Sequence, residues 1–179
     1  MRLLLTTHPA SGHLRPLVPF AQAAQARGHD VTVACPALAD EVAGYGLDHR
    51  AVGYDWRRDA LRHLRGDWQD LGFAEAADAF RAIGGPLTED FAGYVALRTA
   101  QDLLAVADDL RPDVIVRELD EMGGLLAAEA LDVPHVSIAS CGGLDAVTGP
   151  ALAEHLGVGR AALGLGPDPQ GRRAYAHLH

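Results

Sequence analysis

The sequence contains no lysine, so all fifteen residues counted as lysine or arginine are arginines. A catalytic lysine that forms a Schiff base and the phosphate-binding lysine of a P-loop are therefore excluded. The 24 acidic residues outnumber the arginines and give a net charge of −9. A nucleic-acid-binding protein needs a basic face to follow the phosphates, so the charge argues against a nucleic acid partner.

Cysteine and long apolar runs are also scarce. Cys35 and Cys141 are too few and too far apart to indicate a disulfide framework or a zinc ribbon. The apolar stretch at the N-terminus is too short for a signal peptide, and no run approaches the length of a transmembrane helix. A chain of 179 residues that is 49% hydrophobic is long enough to bury a core. We therefore expect one globular domain in the cytoplasm, without membrane insertion.

The first 28 residues predict a strand, a glycine-containing loop and a helix. The apolar run Leu3–Leu5 is followed by Pro9 and Gly12, which is typical of a short strand buried on both faces. From His13 onwards apolar residues recur at helical spacing, and Gly28 stands where a helix would end. The pattern therefore places His13 at the start of the helix.

Strands and helices continue to alternate along the chain. Further strands are predicted at Asp30–Cys35, Leu47–Val52, Asp113–Arg117 and Pro134–Ala139. Helices are predicted at Ala37–Tyr45, Trp68–Ile83, Glu89–Leu110, Gly123–Leu131 and, with interruptions, Ala146–Leu163. This alternation predicts an α/β fold with a doubly wound, mostly parallel, Rossmann-like sheet. The remaining C-terminal tail is predicted to be a loop.

In a doubly wound sheet the order 3-2-1-4-5 is common, and ligands bind where the order reverses, between strands one and four. The loops at that point are Thr6–Gly12 and Glu118–Met122. Topology therefore predicts that His13 lies near an acidic cluster that contains Glu118 and Asp120. A neutral imidazole can accept a proton from a hydroxyl while a carboxylate fixes its tautomer. The alternative is that His13 merely caps its helix and Glu118 is solvated.

Two stretches carry a resemblance to a known family. In Leu3–Ala21 an apolar strand precedes Ser-Gly-His and then Leu-x-Pro-Leu-x-Pro-x-Ala, and Arg111–His135 reads RPDVIVRELDEMGGLLAAEALDVPH. Together they resemble the GT-B glycosyltransferases of the UDP-glycosyltransferase superfamily. The chain is most similar to the actinobacterial enzymes that glycosylate natural products, including antibiotics. The match follows essentially the whole chain in order.

The resemblance implies an inverting transfer of a sugar from a nucleotide-diphosphate donor to a hydroxyl of a hydrophobic natural product. It implies that His13 is the general base and that Glu118 is the carboxylate that orients it. Many members have aspartate at the second position, so Glu118 is a departure, and Asp120 could serve instead. The nucleotide sugar is expected as a co-substrate, with no metal and no other cofactor.

The resemblance also implies a second Rossmann-like domain with a histidine- and glycine-rich diphosphate motif. No segment of the chain matches that motif; Cys141-Gly142-Gly143 lacks both the histidine and the spacing. We therefore expect residues 1–179 to form a single acceptor-binding domain, one half of a GT-B architecture without its nucleotide-sugar-binding half. By itself this half is expected to be inactive.

The middle of the chain holds the candidate acceptor site, and the first loop holds a weaker candidate for the donor. Several aromatic residues could form a wall for a flat acceptor, although ordinary core packing is the alternative: Trp56, Trp68, Phe73, Phe80 and Tyr94. Ser11 and Gly12 could bind a donor phosphate because a helix N-terminus attracts anions. Alternatively, Gly12 only permits a tight turn.

Other functional classes are less well supported. The first loop lacks the fingerprint G-x-G-x-x-G, which argues against a dehydrogenase. Glu118 and Asp120 are spaced like the metal-binding acidic pair of the other glycosyltransferase fold, but such pairs are common by chance. A non-catalytic small-molecule-binding or helper module with the same fold is the alternative function. The sequence does not indicate an oligomeric state.

Overall fold

The computed structural model describes residues 1–55, 90–139, 150–168 and 176–178. Its centre is a parallel sheet of six strands in the order β3-β2-β1-β4-β5-β6. The strands are β1 Arg2–Thr6, β2 Asp30–Ala34, β3 Asp48–Arg50, β4 Val114–Glu118, β5 His135–Ile138 and β6 Ala176–Leu178. The predicted α/β class and the order of the first five strands are confirmed. The sixth strand was not predicted, because its residues lie in the segment assigned to a loop.

The first helical segment differs from its prediction. It begins at Ser11 rather than His13 and consists of α1 (Ser11–Leu14), a 3-10 turn (Arg15–Leu17) and α2 (Val18–Gln25). Pro16 and Pro19 lack the N–H group that a continuous α-helix uses, which accounts for the tighter turn between the two α segments. Helix α3 follows at Ala39–Gly44.

The second half of the chain supplies the helices of the other layer. A π-helix at Asp90–Val95 continues into α4 (Ala96–Ala105), and α5 (Ala107–Leu110) follows, so the predicted single helix Glu89–Leu110 is three segments. Helix α6 spans Gly123–Leu131, as predicted, and α7 spans Pro150–Ala162 without an interruption at Gly157. Within the described ranges, no helix has the length and apolar character needed to cross a bilayer.

Both faces of the sheet are buried, because successive strand residues point to opposite sides. Leu4 and Ile115 belong to the core that packs on α4, α6 and α7. Leu5 and Val116 belong to the core that includes α1, α2 and α3. Since both faces carry apolar cores, we expect the polar side chains that could bind a ligand or act in catalysis to lie beyond the carboxyl ends of the strands.

The two strands at the reversal point are directly paired. In their parallel register Leu5 lies opposite Val116, and Thr6 lies opposite Arg117. The chain leaves both strands at the same edge of the sheet, so the loop after β1 and the loop after β4 lie side by side. This is the predicted switch point.

Candidate active site

The predicted convergence of a histidine and an acid occurs at this edge. Nδ1 of His13 lies 3.1 Å from Oε2 of Glu118. The Glu118 side chain is fully buried, whereas the His13 side chain is 31% exposed. One partner is therefore fixed inside the protein, and the other remains open to a ligand.

The loop after β1 places His13 in the first turn of α1. The carbonyl of Ala10 accepts hydrogen bonds from the backbone N–H groups of His13, at 3.0 Å, and Leu14, at 3.2 Å. Ala10 itself has extended backbone angles and precedes the helix. Because α1 starts this close to the end of β1, the His13 ring reaches the neighbouring strand end.

The loop after β4 fixes the carboxylate. Oε2 of Glu118 also accepts the backbone N–H of Asp120 at 3.2 Å, and the Glu118 carbonyl accepts the backbone N–H of Glu121 at 3.1 Å. Leu119 donates its N–H to the carbonyl of Ile138 on β5 at 3.0 Å. Glu118 therefore accommodates its extra methylene by folding back over its own loop. It is Glu118, not Asp120, that contacts Nδ1.

The environment of His13 favours a protonated Nδ1. Its hydrogen-bonding interaction with Glu118 raises the imidazole pKa, and the charges of Glu118 and Asp120 act in the same direction, while burial opposes them. Nδ1 of His13 and Oε2 of Glu118 are 3.1 Å apart, although the ring N–H is not aimed straight at the oxygen. A proton on Nδ1 leaves Nε2 of the neutral ring as the basic atom.

Asp120 occupies the edge of the site and is half-buried. Burial and the neighbouring charge of Glu118 raise its pKa. His13, Glu118 and Asp120 each offer one potential ligand atom, and these atoms lie within 4.8 Å of one another. This donor set is compatible with a divalent cation as well as with a base and its orienting acid. The absence of a metal therefore stays a prediction.

A second imidazole, His8, belongs to the same site and was not singled out from the sequence. It is 5% exposed, and its Nε2 lies 3.1 Å from the carbonyl oxygen of Asp120. Its ring makes edge-to-face contacts with the rings of His13 and Phe91, at centroid distances of 5.3 and 5.2 Å. The available signal was its position in the loop Thr6–Gly12, which topology already assigned to the switch point.

On the other face of the sheet the same loop is held by glycines and a buried acid. The carboxylate of Glu121 accepts the backbone N–H groups of Gly123, at 2.7 Å, and Gly124, at 2.8 Å, which caps the start of α6. A side chain on Gly123 would overlap Thr99, and one on Gly124 would overlap the hydroxyl of Thr6. The close approach of α6 to the sheet therefore requires two glycines and fixes the second end of the loop.

The predicted donor-phosphate residues lie beside the site. The hydroxyl of Ser11 donates to Oε2 of Glu41 at 2.5 Å, and Arg15 contacts the other oxygen of that carboxylate at 3.4 Å. Gly12 lies inside α1 without a positive φ, so it is not explained as a tight-turn glycine. A phosphate at Ser11 would meet the carboxylate of Glu41. The role of Ser11 and Gly12 stays a prediction.

The predicted acceptor-binding residues Trp56, Trp68, Phe73 and Phe80 lie outside the described residues, so their role also stays a prediction. Tyr94, grouped with them in the sequence, is 57% exposed and lies on the π-helix that carries Phe91. Its ring packs edge-to-face on Tyr54 at a centroid distance of 5.3 Å. The π-helix that contacts His8 therefore also carries an exposed aromatic ring, Tyr94, which packs on the half-buried Tyr54.

Comparison with known proteins gives a consistent result. Residues 22–162 match the family described as erythromycin biosynthesis protein CIII-like, N-terminal domain. The tylactone mycaminosyltransferase of Streptomyces fradiae is 31% identical over 153 residues, which is 77% of this chain and 33% of that enzyme. The chain spans about a third of the length of the curated relatives it matches.

Solved structures show the same fold. The glycosyltransferase SnogD from Streptomyces nogalater superposes with a TM-score of 0.65 and 25% identity, over 99% of this chain and 42% of SnogD. The glycosyltransferase VinC, solved in complex with DTDP, superposes with a TM-score of 0.59 and 29% identity, over 88% of this chain and 38% of VinC. In both superpositions the chain corresponds to one Rossmann-like half of a GT-B glycosyltransferase.

Proposed function

The chain belongs to the family of erythromycin biosynthesis protein CIII-like N-terminal domains, and from this premise we propose that it is the acceptor-binding part of a natural-product glycosyltransferase. Several curated relatives are sugar transferases by name, among them the tylactone mycaminosyltransferase. The observation that carries the chemistry is the 3.1 Å contact between Nδ1 of His13 and Oε2 of Glu118.

In the proposed reaction Nε2 of His13 is the general base. The acceptor hydroxyl donates its proton to Nε2 while its oxygen forms a bond to the anomeric carbon of the donor sugar. The bond between that carbon and the nucleotide diphosphate breaks, and the diphosphate leaves with the electron pair. Glu118 stabilises the imidazolium that forms and holds the proton on Nδ1.

Burial of Glu118 supports inversion of the anomeric centre. A retaining double displacement needs a carboxylate that reaches the sugar and forms a covalent intermediate with it. Glu118 is fully buried beneath the His13 ring, and its Oε2 is also held by the N–H of Asp120. It is placed to orient a base and not to attack a sugar, so we propose a single displacement.

For the donor, we propose a nucleotide-diphosphate sugar held mainly by a second domain. The similar structure of VinC contains DTDP, which supports a thymidine nucleotide. The acceptor would approach from the side of the π-helix that carries Phe91 and Tyr94, where the Tyr94 ring is exposed. We propose that transfer needs no metal, since His13 with Glu118 supplies the base and the acceptor needs no other activation.

The first prediction tests His13 in the complete enzyme that contains this chain. His13→Ala should lower kcat/KM for transfer by about 10²–10⁴-fold, the usual contribution of a general base. Release of the nucleoside diphosphate from thymidine-diphosphate sugars, with and without EDTA, measures this over a panel of hydrophobic acceptors. EDTA should leave the wild-type rate unchanged.

His29→Ala is the matched control, because His29 precedes β2 at the opposite edge of the sheet. It should retain the wild-type rate, and circular dichroism should show that both variants fold. Transfer that survives His13→Ala would remove His13 from the mechanism. An acceptor that binds with no turnover of any donor would instead favour the non-catalytic binding module.

A further inference from the structure

His8 connects the two loops that carry the proposed catalytic pair. A carbonyl oxygen can only accept a hydrogen bond, so the hydrogen at the 3.1 Å contact with Asp120 must lie on Nε2 of His8. This bond links the loop after β1, which leads into His13, to the loop after β4, which begins at Glu118. The distance between the two loops therefore depends in part on His8.

The backbone of His8 is itself firmly held. Its carbonyl accepts the N–H of Ala10 at 2.8 Å and the hydroxyl of Thr7 at 3.3 Å, and the thiol of Cys35 on the neighbouring strand end approaches it at 3.7 Å. Because its side chain is buried and its carbonyl accepts hydrogen bonds from other groups, His8 has little freedom to move. His8 can therefore act as a fixed support for groups that contact it.

The group that needs support is the ring of His13. With 31% of its side chain exposed, the His13 ring would be free to turn about its Cβ–Cγ bond, and a half-turn would put Cδ2 in the place of Nδ1 and break the contact with Glu118. The His8 ring stands at 84° to it with a centroid distance of 5.3 Å, which is a favourable edge-to-face arrangement. This contact restricts the orientation in which Nδ1 faces Glu118.

We propose that His8 is a positioning residue, which joins the two loops through Asp120 and holds the His13 ring with Nδ1 toward Glu118. This inference rests on the proposed role of His13. His8 is not proposed as a second base, because at 5% exposure its ring is closed to an acceptor hydroxyl. Its contact with Phe91 extends the same support to the π-helix, a type of segment that is frequent at functional sites.

Three variants of the complete enzyme separate the hydrogen bond from His8 to the Asp120 carbonyl from the ring contact between His8 and His13. His8→Phe keeps a ring and loses the hydrogen-bond donor, His8→Gln keeps a donor and loses the ring, and His8→Ala loses both. We expect kcat to fall at least tenfold in His8→Ala and less in the other two, with an unchanged KM for the donor sugar. Nitrogen chemical shifts of the His13 ring should show the Nδ1–H tautomer in the wild type and a mixture of tautomers in His8→Ala.

A purely structural role would lower stability without moving the His13 tautomer. If His8→Ala does not fold, His8→Phe and His8→Gln decide the question by the same measurements. Wild-type kcat in the folded variants, or lost activity with an unchanged His13 tautomer, overturns the proposal. Failure of the proposed function is distinct, since it appears as full transfer by His13→Ala.

Discussion

Arg117 and Glu118 are neighbours at the end of β4, and both are buried, yet they serve different faces of the sheet. Glu118 faces α1 and contacts His13. Arg117 faces the layer of α6, where its Nη1 donates to the carbonyl of Leu119 at 2.6 Å and contacts the sulfur of Met122. Among the described residues no acid forms a direct ion pair with it. Burial lowers the pKa of Arg117, opposed by the charges of Glu121, Glu118 and Asp120.

Under the proposed mechanism, a buried charge is not by itself a sign of a catalytic site. What distinguishes Glu118 is its partner, a titratable ring that remains partly exposed to a ligand. Arg117 contacts a backbone carbonyl and a thioether, which cannot take part in proton transfer. If Glu118 takes part in proton transfer and Arg117 does not, substitution of Glu118 should lower activity, whereas substitution of Arg117 should act mainly on stability.

The largest effect is expected from Glu118→Gln. Transfer should fall about 10²–10⁴-fold, since the imidazolium loses its counter-charge and the ring loses its fixed tautomer. The His13 pKa, which Glu118 raises, should fall in the variant. The acidic limb of the profile of kcat/KM against pH should therefore move to lower pH, which NMR titration of the His13 ring measures independently.

The stability of the folded protein should depend on pH through the same shift in the His13 pKa. A raised imidazole pKa stabilises the folded state fully below the unfolded value of 6.5, and that contribution is lost as the pH rises through the folded value. Glu118→Gln should therefore reduce the free energy of unfolding more below pH 6.5 than above it. An unchanged His13 pKa in this variant would contradict the assignment of Glu118 as the orienting acid.

A smaller effect is expected from Arg117→Met, compared directly with Glu118→Met. Replacing a buried charge by an apolar side chain of similar length often leaves stability nearly unchanged, because the cost of burying the charge disappears. The carbonyl of Leu119 loses its donor, so we expect a loss of less than about 2 kcal/mol in urea unfolding. Transfer should stay within about tenfold of the wild type, whereas Glu118→Met should lose it. Equal losses of transfer in Arg117→Met and Glu118→Met would contradict the assignment of different roles to these two residues.

The part of the site that the sequence could predict is the part set by topology. Alternating strands and helices put β1 beside β4, and this alone brought His13 and Glu118 together from distant parts of the chain. The choice between Glu118 and Asp120 was left open because it depends on how a short loop folds back to place a carboxylate. The link through His8 was missed for a related reason, since a side-chain contact to a backbone carbonyl leaves no spacing pattern. The 3-10 turn around Pro16 likewise reflects lost N–H donors within a helix whose apolar pattern looked continuous.

The smallest effect should come from Asp120→Asn, which separates the two acids of the loop. Burial and Glu118 raise the Asp120 pKa above 3.8, so the folded state disfavours the charged carboxylate. The folded state therefore loses stability as the pH rises from 3.8 through the raised pKa of Asp120. In addition, its carboxylate oxygen Oδ1 is buried without a hydrogen-bond partner in the described structure.

Asp120→Asn should accordingly raise the free energy of unfolding at pH 7 by up to about 1 kcal/mol, with no gain at pH values below 3.8. Because Asp120 makes the smallest of the contributions to the raised His13 pKa, that pKa should fall less than in Glu118→Gln. Urea unfolding over a range of pH and the rate of transfer measure both effects, and transfer should stay within about threefold of the wild type. A loss as large as that of Glu118→Gln would instead make Asp120 the acid that orients His13, since the backbone bond to His8 does not depend on the charge of this side chain.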